Sequence, residues 1–107
     1  MTERRQQMNT ILKELAATFL ARENNNTSLI TVTSANVSPD FKRATIFITV
    51  MPESKEEAAL FFAKRQRGNM RDFLKKNMNI KVIPFVEIEI DKGEKNRQKI
   101  DELLRAK

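Results

Sequence analysis

Apolar residues recur at helical spacing in the first part of the chain. Turning the chain by about 100° per residue places five of them on one face, namely Met8, Ile11, Leu12, Leu15 and Phe19. This pattern predicts a helix from Thr2, which can cap it, to about Glu23. Arg4 and Arg5 lie in its first turn, where positive charge opposes the helix dipole, so this end either frays or meets a phosphate. Residues 24–27 predict a loop.

The middle of the chain changes to a strand-like pattern. Residues 29–37 are mostly β-branched or small, and Lys42–Met51 alternates with four apolar residues on one face, Ala44, Ile46, Ile48 and Val50. Ser38-Pro39-Asp40-Phe41 between them has turn chemistry. We therefore expect an antiparallel hairpin.

A second helical pattern runs from about Lys55 to Met78. Pro52 closes the preceding strand, and Ser54 with Glu57 three residues later resembles a capping box. The apolar face of this helix comprises Ala59, Phe62, Ala63, Met70, Phe73 and Leu74. Gly68 interrupts the pattern at a cost of roughly 1 kcal/mol relative to alanine, which predicts a kink or a close approach by another backbone.

The last part of the chain predicts one more strand and one more helix. Residues 80–90 alternate, with Val86, Ile88 and Ile90 inward and Phe85, Glu87 and Glu89 outward, while Pro84 favours an edge strand or a bulge. Asp91-Lys92-Gly93 predicts a turn, and Ile100, Leu103 and Leu104 predict a short C-terminal helix over about residues 93–107 that frays at its end.

These elements predict an α+β fold in one domain spanning residues 1–107. Their order is α-β-β-α-kink-α-β with a short C-terminal helix, and the helices are expected to pack on one face of a three-stranded sheet. Such a layout is typical of KH-type domains. A standard KH domain holds nucleic acid through a GXXG loop, which this chain cannot contain because its two glycines are Gly68 and Gly93.

Charge indicates the class of partner. The chain carries 20 Lys and Arg against 14 Asp and Glu, for a net charge of +6, so nucleic acid is the first expected partner and an anionic membrane surface the second. Within residues 55–78, seven basic and three acidic residues leave a surplus of four. No apolar run is long enough to span a bilayer and no export signal is apparent, so a cytoplasmic protein is expected.

The absence of cysteine and histidine excludes thiolate chemistry, cysteine-ligated zinc and a histidine base. Neither a metal nor a cofactor is predicted. Glu87 and Glu89 are the one obvious carboxylate pair, and a solvated strand face accounts for them better than catalysis does. An enzyme is therefore not expected.

Four cations follow one flank of the second helical pattern at steps of three, four and four residues. We call this set the basic stripe: Lys64, Arg67, Arg71 and Lys75. Gly68 beside it would allow a phosphate backbone to approach, and five flanking cations extend the patch, namely Arg65, Lys76, Lys42, Arg43 and Lys81. The plainer alternative is a solvated helix face. With no Trp or Tyr, the candidates for base stacking are Phe47 and Phe85, for which we favour a covered second core.

Three stretches resemble the ribosome-binding factor A family. They are the run Val37-Ser38-Pro39-Asp40-Phe41-Lys42-Arg43-Ala44, the third strand with Lys81, Pro84 and Asp91, and Ile100-Asp101-Glu102-Leu103-Leu104. The resemblance implies a KH-like (type II) fold without the GXXG loop. That family has an Ala-x-Gly kink where this chain has Gln66-Arg67-Gly68. An unpaired buried amide at Gln66 would cost about 1 to 3 kcal/mol, so Gln66 either has a backbone partner or joins the two half-helices differently.

The resemblance also implies a function. Members of the family are bacterial assembly factors that bind 16S rRNA in the immature small ribosomal subunit, assist its processing and leave, and they are associated with growth in the cold. Here the basic stripe, Gly68 and the flanking cations would contact rRNA, a monomer is expected, and ribosomal proteins or an assembly GTPase are further partners. Three alternatives remain: a generic nucleic-acid binder, a protein-interaction module, and an enzyme using Glu87 and Glu89.

Overall fold

The computed structural model describes residues 2–23 and 28–105. The predicted loop at residues 24–27, the side chain of Thr2 and the last two residues lie outside the described part. The expectations of a loop, of a Thr2 cap and of a frayed end therefore remain predictions.

The described chain forms four α-helices and three strands. They are α1 (Thr2–Glu23), β1 (Leu29–Val37), β2 (Arg43–Met51), α2 (Glu56–Arg65), α3 (Arg67–Asn77), β3 (Phe85–Ile90) and α4 (Lys92–Arg105). This is the predicted α+β order, with the break between α2 and α3. No helix in this part of the chain is long and apolar enough to cross a membrane.

The sheet has the order β1-β2-β3. β1 pairs antiparallel with β2, which confirms the hairpin, and β3 pairs parallel with β2. The helices cover one face, where the four apolar residues predicted for β2 are buried together with Val86 and Ile88 of β3. Leu12, Leu20, Met70 and Leu74 close this core from the helix side, and each has 1% or less of its surface exposed.

A β-bulge at Thr33 keeps β1 in register with the core. The pairing with β2 shifts between Val32 and Ser34. Because side chains alternate across a strand, one extra residue lets Val32 and Ala35 both face the helices. Both are buried, as is Val37.

Side-chain oxygens organise the turn of the hairpin. The Ser38 hydroxyl lies 2.5 Å from Asp40 Oδ1, and that oxygen also accepts the Lys42 amide at 3.0 Å. These bonds lower the pKa of Asp40, the Ser38 hydroxyl contributing most. Phe41 has φ of 60°, a left-handed conformation that is uncommon for a residue other than glycine. The run shared with the known family therefore builds this turn.

Arg5, for which we expected either a frayed helix end or a phosphate contact, bonds the end of β1 in the structure. Its guanidinium donates to the Val37 carbonyl at 3.0 Å, and the Asn9 side chain accepts the Val37 amide at 2.8 Å. Together they satisfy the outer backbone groups at the end of β1, which is an edge strand. Arg4, by contrast, is exposed.

The predicted capping box at Ser54 and Glu57 is wrong. Ser54 lies inside a short 3-10 turn, Glu53–Lys55, that begins directly after Pro52. Neither this turn nor α2 has a side-chain cap, because the 3-10 turn moves Ser54 away from the capping position of α2.

The third strand is shorter than the alternating pattern suggested. β3 begins at Phe85, and residues 80–84 are not part of a strand. Pro84 has no amide hydrogen to donate to a sheet, and it is buried with Ile83 immediately before β3. β3 is an edge strand, as Pro84 suggested.

The prediction of a turn at residues 91–93 is also wrong, because α4 begins at Lys92 and includes Gly93. Asp91 serves as its cap, and Oδ1 accepts the Glu94 amide at 2.9 Å while Oδ2 accepts the Thr33 hydroxyl at 2.6 Å. These two bonds, that of the Glu94 amide first, lower the pKa of the Asp91 carboxyl. The cap thus ties α4 to the β1 bulge.

Asp91→Ala is expected to destabilise α4 by about 1 kcal/mol near neutral pH, because it removes an N-cap. The pKa of Asp91 is lowered on folding, so the charge-dependent part of its contribution is present above about pH 4 and is lost as pH falls through the lowered pKa. Amide hydrogen exchange in α4 and thermal unfolding at pH 7 and pH 2 measure both effects. Asp101→Ala, an exposed position in the same helix, is the control. Equal effects of the two substitutions would contradict the cap.

Candidate nucleic-acid interface

The break between α2 and α3 lies at Gln66, two residues before the predicted position. The Gln66 amide donates to the carbonyls of Phe62 and Ala63 at 3.2 and 3.1 Å, and its own carbonyl accepts the Met70 amide at 2.8 Å. Gln66 thus ends one helix and starts the next. It is this residue, and not Gly68, that interrupts the helical pattern.

Gly68 is the second residue of α3 and is exposed. Its φ is not positive, and a Cβ built there would meet no atom within 4 Å. Packing within the described chain therefore does not require glycine here. The lack of a side chain at Gly68 leaves space for a molecule that binds α3 from the solvent side.

The Gln66 side chain has a partner, although this is a side chain and not a backbone group. Gln66 is half-buried, and Oε1 accepts the Asn69 side-chain amide at 2.9 Å. The penalty for an unpaired buried amide therefore does not apply.

Gln66→Ala is expected to leave stability unchanged or slightly higher. The lost bond is exposed and joins two side chains, so it is worth about 0.5 to 1.5 kcal/mol, and alanine offsets it because it loses no side-chain entropy on folding. Thermal unfolding measures the change, with Asn69→Ala as the control that removes the same bond from the other side. A loss above about 2 kcal/mol for Gln66→Ala would show that Gln66 is a structural amide.

α3 is fixed on three sides, which defines where its basic flank points. Met70 and Leu74 are fully buried against the core. On one flank the Phe73 ring packs against Phe19 of α1 at 5.6 Å between centroids, with the Arg22 guanidinium 5.5 Å from the Phe73 ring. Arg67 and Arg71 lie on the flank that faces β3, whereas Lys64 of the basic stripe belongs to α2.

Two members of the stripe are held against the β3 side. Arg67 Nη1 lies 3.2 Å from both carboxylate oxygens of Glu87, and Arg67 Nε donates to the Lys64 carbonyl at 3.0 Å. Arg71 Nη2 donates to the Ile83 carbonyl at 3.4 Å. These contacts fix the two guanidinium groups along the edge of the sheet.

The contact with Arg67 shows that Glu87 is more than part of a solvated strand face. Both side chains remain about 40% exposed, at 38% and 40%. The sequence carried no signal for this pair because it depends on how α3 is set against β3. Glu87 is therefore a partner of the basic stripe.

The other two members of the stripe, Lys64 and Lys75, are exposed, as are the flanking residues Arg65 and Lys76. These four extend into solvent from α2 and α3. They can reach an external anion without giving up a contact that fixes the fold.

The sheet brings a second group of cations to the start of β3. The Phe85 amide donates to the Lys42 carbonyl at 2.8 Å, and Arg43 is paired in register with Phe85. Lys42 and Arg43 therefore lie beside the start of β3, near the Ile83 carbonyl that Arg71 contacts. Lys81 lies two residues before Ile83 in the chain and is exposed.

The structure does not provide the covered second core that we favoured for the outward phenylalanines. Phe85 has 52% of its surface exposed, whereas Phe47 is half-buried. The Phe85 ring is therefore accessible to solvent beside Arg43.

In the described residues, no group of three acidic, histidine or cysteine side chains is arranged to hold a metal ion.

Comparison with known proteins gives consistent matches. A sequence model of the family described as ribosome-binding factor A matches residues 4–104. A protein of that name from Thermodesulfovibrio yellowstonii is 30% identical over 105 residues, which is 96% of this chain and 89% of that protein.

Solved structures show the same fold. The crystal structure of ribosome-binding factor A from Thermus thermophilus superposes with a TM-score of 0.73 at 20% identity, covering 80% of this chain and 94% of that one. A homology model of the Thermus thermophilus protein, fitted into an electron cryomicroscopy map of its complex with the 30S subunit, gives a TM-score of 0.67 at 21% identity, over 76% and 88% of the two chains. The fold is therefore KH-like, as predicted.

Proposed function

Because the chain belongs to the ribosome-binding factor A family, we propose that it binds the rRNA of the immature small ribosomal subunit through the basic stripe and the flanking cations. The observation that carries the proposal is the exposed basic flank of α2 and α3 along the edge of the sheet, joined at the start of β3 by Lys42 and Arg43. The 30S complex of the Thermus thermophilus relative supports the choice of subunit.

Contacts to phosphates would supply most of the RNA affinity of this surface. Lysine and arginine contacts to phosphates position a protein on RNA without reading its sequence. Since Met70 and Leu74 anchor α3 in the core, the cations on its flank keep a fixed spacing that suits one arrangement of folded RNA. Selectivity would then come from the shape of the rRNA and from neighbouring proteins.

Gly68 has a defined role in this proposal. It is exposed between Arg67 and the rest of α3, and the space next to it is open. An RNA backbone can approach the helix more closely there than beside a residue with a side chain.

By analogy with the family, the bound protein would assist the maturation of 16S rRNA and then dissociate. A surface that acts through phosphate contacts suits a temporary factor, because a change in the shape of the rRNA removes several contacts together. Ribosomal proteins or an assembly GTPase are the candidates for further partners. This work would take place in the cytoplasm.

Glu87→Gln is expected to raise RNA affinity about five-fold at 0.1 M salt. The carboxylate competes with phosphate for Arg67, and one unit of charge at such a surface changes affinity by about that factor. Stability should fall by less than about 1 kcal/mol, because the ion pair is partly exposed. Fluorescence anisotropy with an rRNA fragment measures the affinity.

Glu89→Gln is the matched control for this change. Glu89 is exposed on the same strand, two residues from Glu87. If both substitutions raised affinity equally, the effect would be one of net charge and not of the contact with Arg67.

Co-sedimentation across a salt series tests the proposed function. The purified protein is mixed with immature small subunits, mature small subunits, large subunits or bulk RNA. We expect preference for immature small subunits and loss of binding as salt rises. Equal binding to every RNA would indicate a generic nucleic-acid binder, and binding that survives high salt would indicate a protein-interaction module.

A further inference from the structure

A cleft separates the first turns of α1 from the segment that follows α3. One cavity of about 340 Å³ is lined by Arg4, Met8, Phe41, Ile80 and Val82. A neighbouring cavity of about 280 Å³ shares Arg4, Met8 and Ile80 with the first. We call the two together the α1 cleft. Each is close to the lower end of the size range of small-ligand sites, which begins at ~300 Å³.

The floor of the α1 cleft is apolar. Met8, Phe41 and Ile80 are half-buried and pack against the core, and Val82 stands at the mouth with 74% of its surface exposed. The Phe41 ring is the one aromatic group in the lining of the larger cavity, and the hydrogen-bonded turn holds its backbone at a φ of 60°. A flat apolar ligand can pack against this floor.

One cation lines the α1 cleft, and two more adjoin lining residues along the chain. Arg4 is exposed and belongs to both cavities. Lys42 directly follows Phe41, and Lys81 lies between Ile80 and Val82, and both lysines are exposed. An apolar floor with a basic rim is complementary to a ligand that combines a flat ring with negative charge.

Polar groups suited to recognising a base line the smaller cavity. Gln7 and Asn79 lie on its opposite walls and are exposed. Carboxamide side chains offer a donor and an acceptor side by side, the pattern that pairs with the edge of adenine. The cleft therefore contains a stacking surface, hydrogen-bonding groups and phosphate-binding groups.

We propose that the α1 cleft binds an unpaired base of the RNA, with the adjoining phosphates on Arg4, Lys42 and Lys81. The inference rests on the proposed function, because Lys42 and Lys81 are flanking cations of the same surface. That continuity favours RNA over an acidic peptide as the occupant. A strand running from the basic stripe past the start of β3 would deliver the base to the cleft.

Methionine methyl groups report on this site directly. Met8 and Met78 line the cleft, whereas Met70 is buried in the core and Met51 lies at the other end of β2. The full chain, labelled with ¹³C at the methionine methyls, is titrated with a short adenine-rich single-stranded oligoribonucleotide. We expect the Met8 resonance to move through the ring current of the bound base while that of Met51 stays in place.

Two further probes separate the base from the phosphates and from a protein partner. The same oligonucleotide in a duplex, whose bases are already paired, should leave the Met8 resonance unchanged while still binding. An acidic, leucine-rich peptide should also leave it unchanged. A Met8 response to the duplex, or to the peptide and not to the single strand, would overturn the proposal.

A pair of substitutions tests the same site by affinity. Val82→Glu places a negative charge at the mouth and should weaken single-strand binding about ten-fold, as the loss of one stacked base does. Leu103→Glu introduces the same charge at an exposed position of α4, where we expect less than about a three-fold effect. Equal losses in the two variants would overturn the proposal.

Failure of this proposal can be told apart from failure of the proposed function. Suppose that the wild-type chain sediments with immature small subunits, but the Met8 methyl resonance does not move at a saturating concentration of the single-stranded oligoribonucleotide. Then the cleft does not hold a base, and the proposed function stands. If the chain shows no preference for small subunits, the proposed function fails whatever Met8 does.

Discussion

Replacing four exposed cations of α2 and α3 with glutamine is expected to weaken RNA binding roughly a hundred-fold or more at 0.1 M salt. The variant combines Lys64→Gln, Arg65→Gln, Lys75→Gln and Lys76→Gln. Each phosphate contact contributes about 0.7 to 0.9 to the slope of log affinity against log salt. Removing four should flatten that slope by about three, which anisotropy over a salt series measures.

The choice of residues follows from the structure. All four side chains are exposed, whereas Arg67 and Arg71 also contact Glu87 and the Ile83 carbonyl. Substituting the two arginines would mix lost RNA contacts with lost contacts to β3. The four-residue variant should therefore unfold at nearly the same temperature as the wild type.

A second variant with the same loss of charge provides the control. It neutralises four exposed cations outside the basic stripe and its flanking residues, Lys13, Lys55, Lys92 and Arg105. Long-range attraction falls in both variants, but direct contacts fall only in the first. If the two variants bound RNA equally weakly, net charge alone would explain the binding and the stripe would have no special role.

Leu74→Ala is expected to destabilise the protein by about 2 to 5 kcal/mol, a large part of the 5 to 15 kcal/mol that is typical of a folded domain. Leu74 is fully buried under α3, so the substitution removes apolar contacts and leaves a cavity. Chemical denaturation measures the loss. Because α3 carries three of the four members of the basic stripe, RNA affinity should fall only under conditions in which the fold is lost.

The adjacent residue gives the opposite result in the same assay. Lys75 is exposed, so Lys75→Ala should change stability by less than about 0.5 kcal/mol while lowering RNA affinity several-fold. A large loss of stability for Lys75→Ala, or a small one for Leu74→Ala, would contradict the described orientation of α3.

The sequence predicted most of the fold because the relevant signals are local. The helical spacing in α1 and the alternation in β2 each follow from a single buried face, and the inward residues of β2 are buried as expected. The bulge at Thr33 was not predicted. It has no strong local signal and is recognisable only once β1 and β2 are paired.

Helix ends were predicted less well than helix faces. The break at Gln66 was assigned to Gly68 because glycine is the weaker helix former, yet Gly68 adopts helical geometry within α3. Likewise, Gly93 suggested a turn, but Asp91 supplies a cap and α4 continues through Gly93. At α4 the hydrogen bond from the Glu94 amide to Asp91 outweighed the low helix propensity of glycine.

For the candidate interface, the sequence predicted the cations but not their partners. Helical spacing predicted the basic stripe along a single helix, whereas in the structure Lys64 lies in α2 and the other three members lie in α3. The Arg67 contact with Glu87 and the α1 cleft depend on packing between segments far apart in the chain. Phe41 looked like part of a turn, and its place in the cleft became apparent only with Met8 and Ile80 beside it.

Lysine footprinting of the protein on immature small subunits tests the central claim most directly. Acetylation rates of each lysine are compared by mass spectrometry in the free and the bound protein. We expect strong protection of Lys64, Lys75 and Lys76, and unchanged reactivity at Lys13 and Lys92. Protection of Lys13 and Lys92 with full reactivity along α2 and α3 would show that another face binds the subunit.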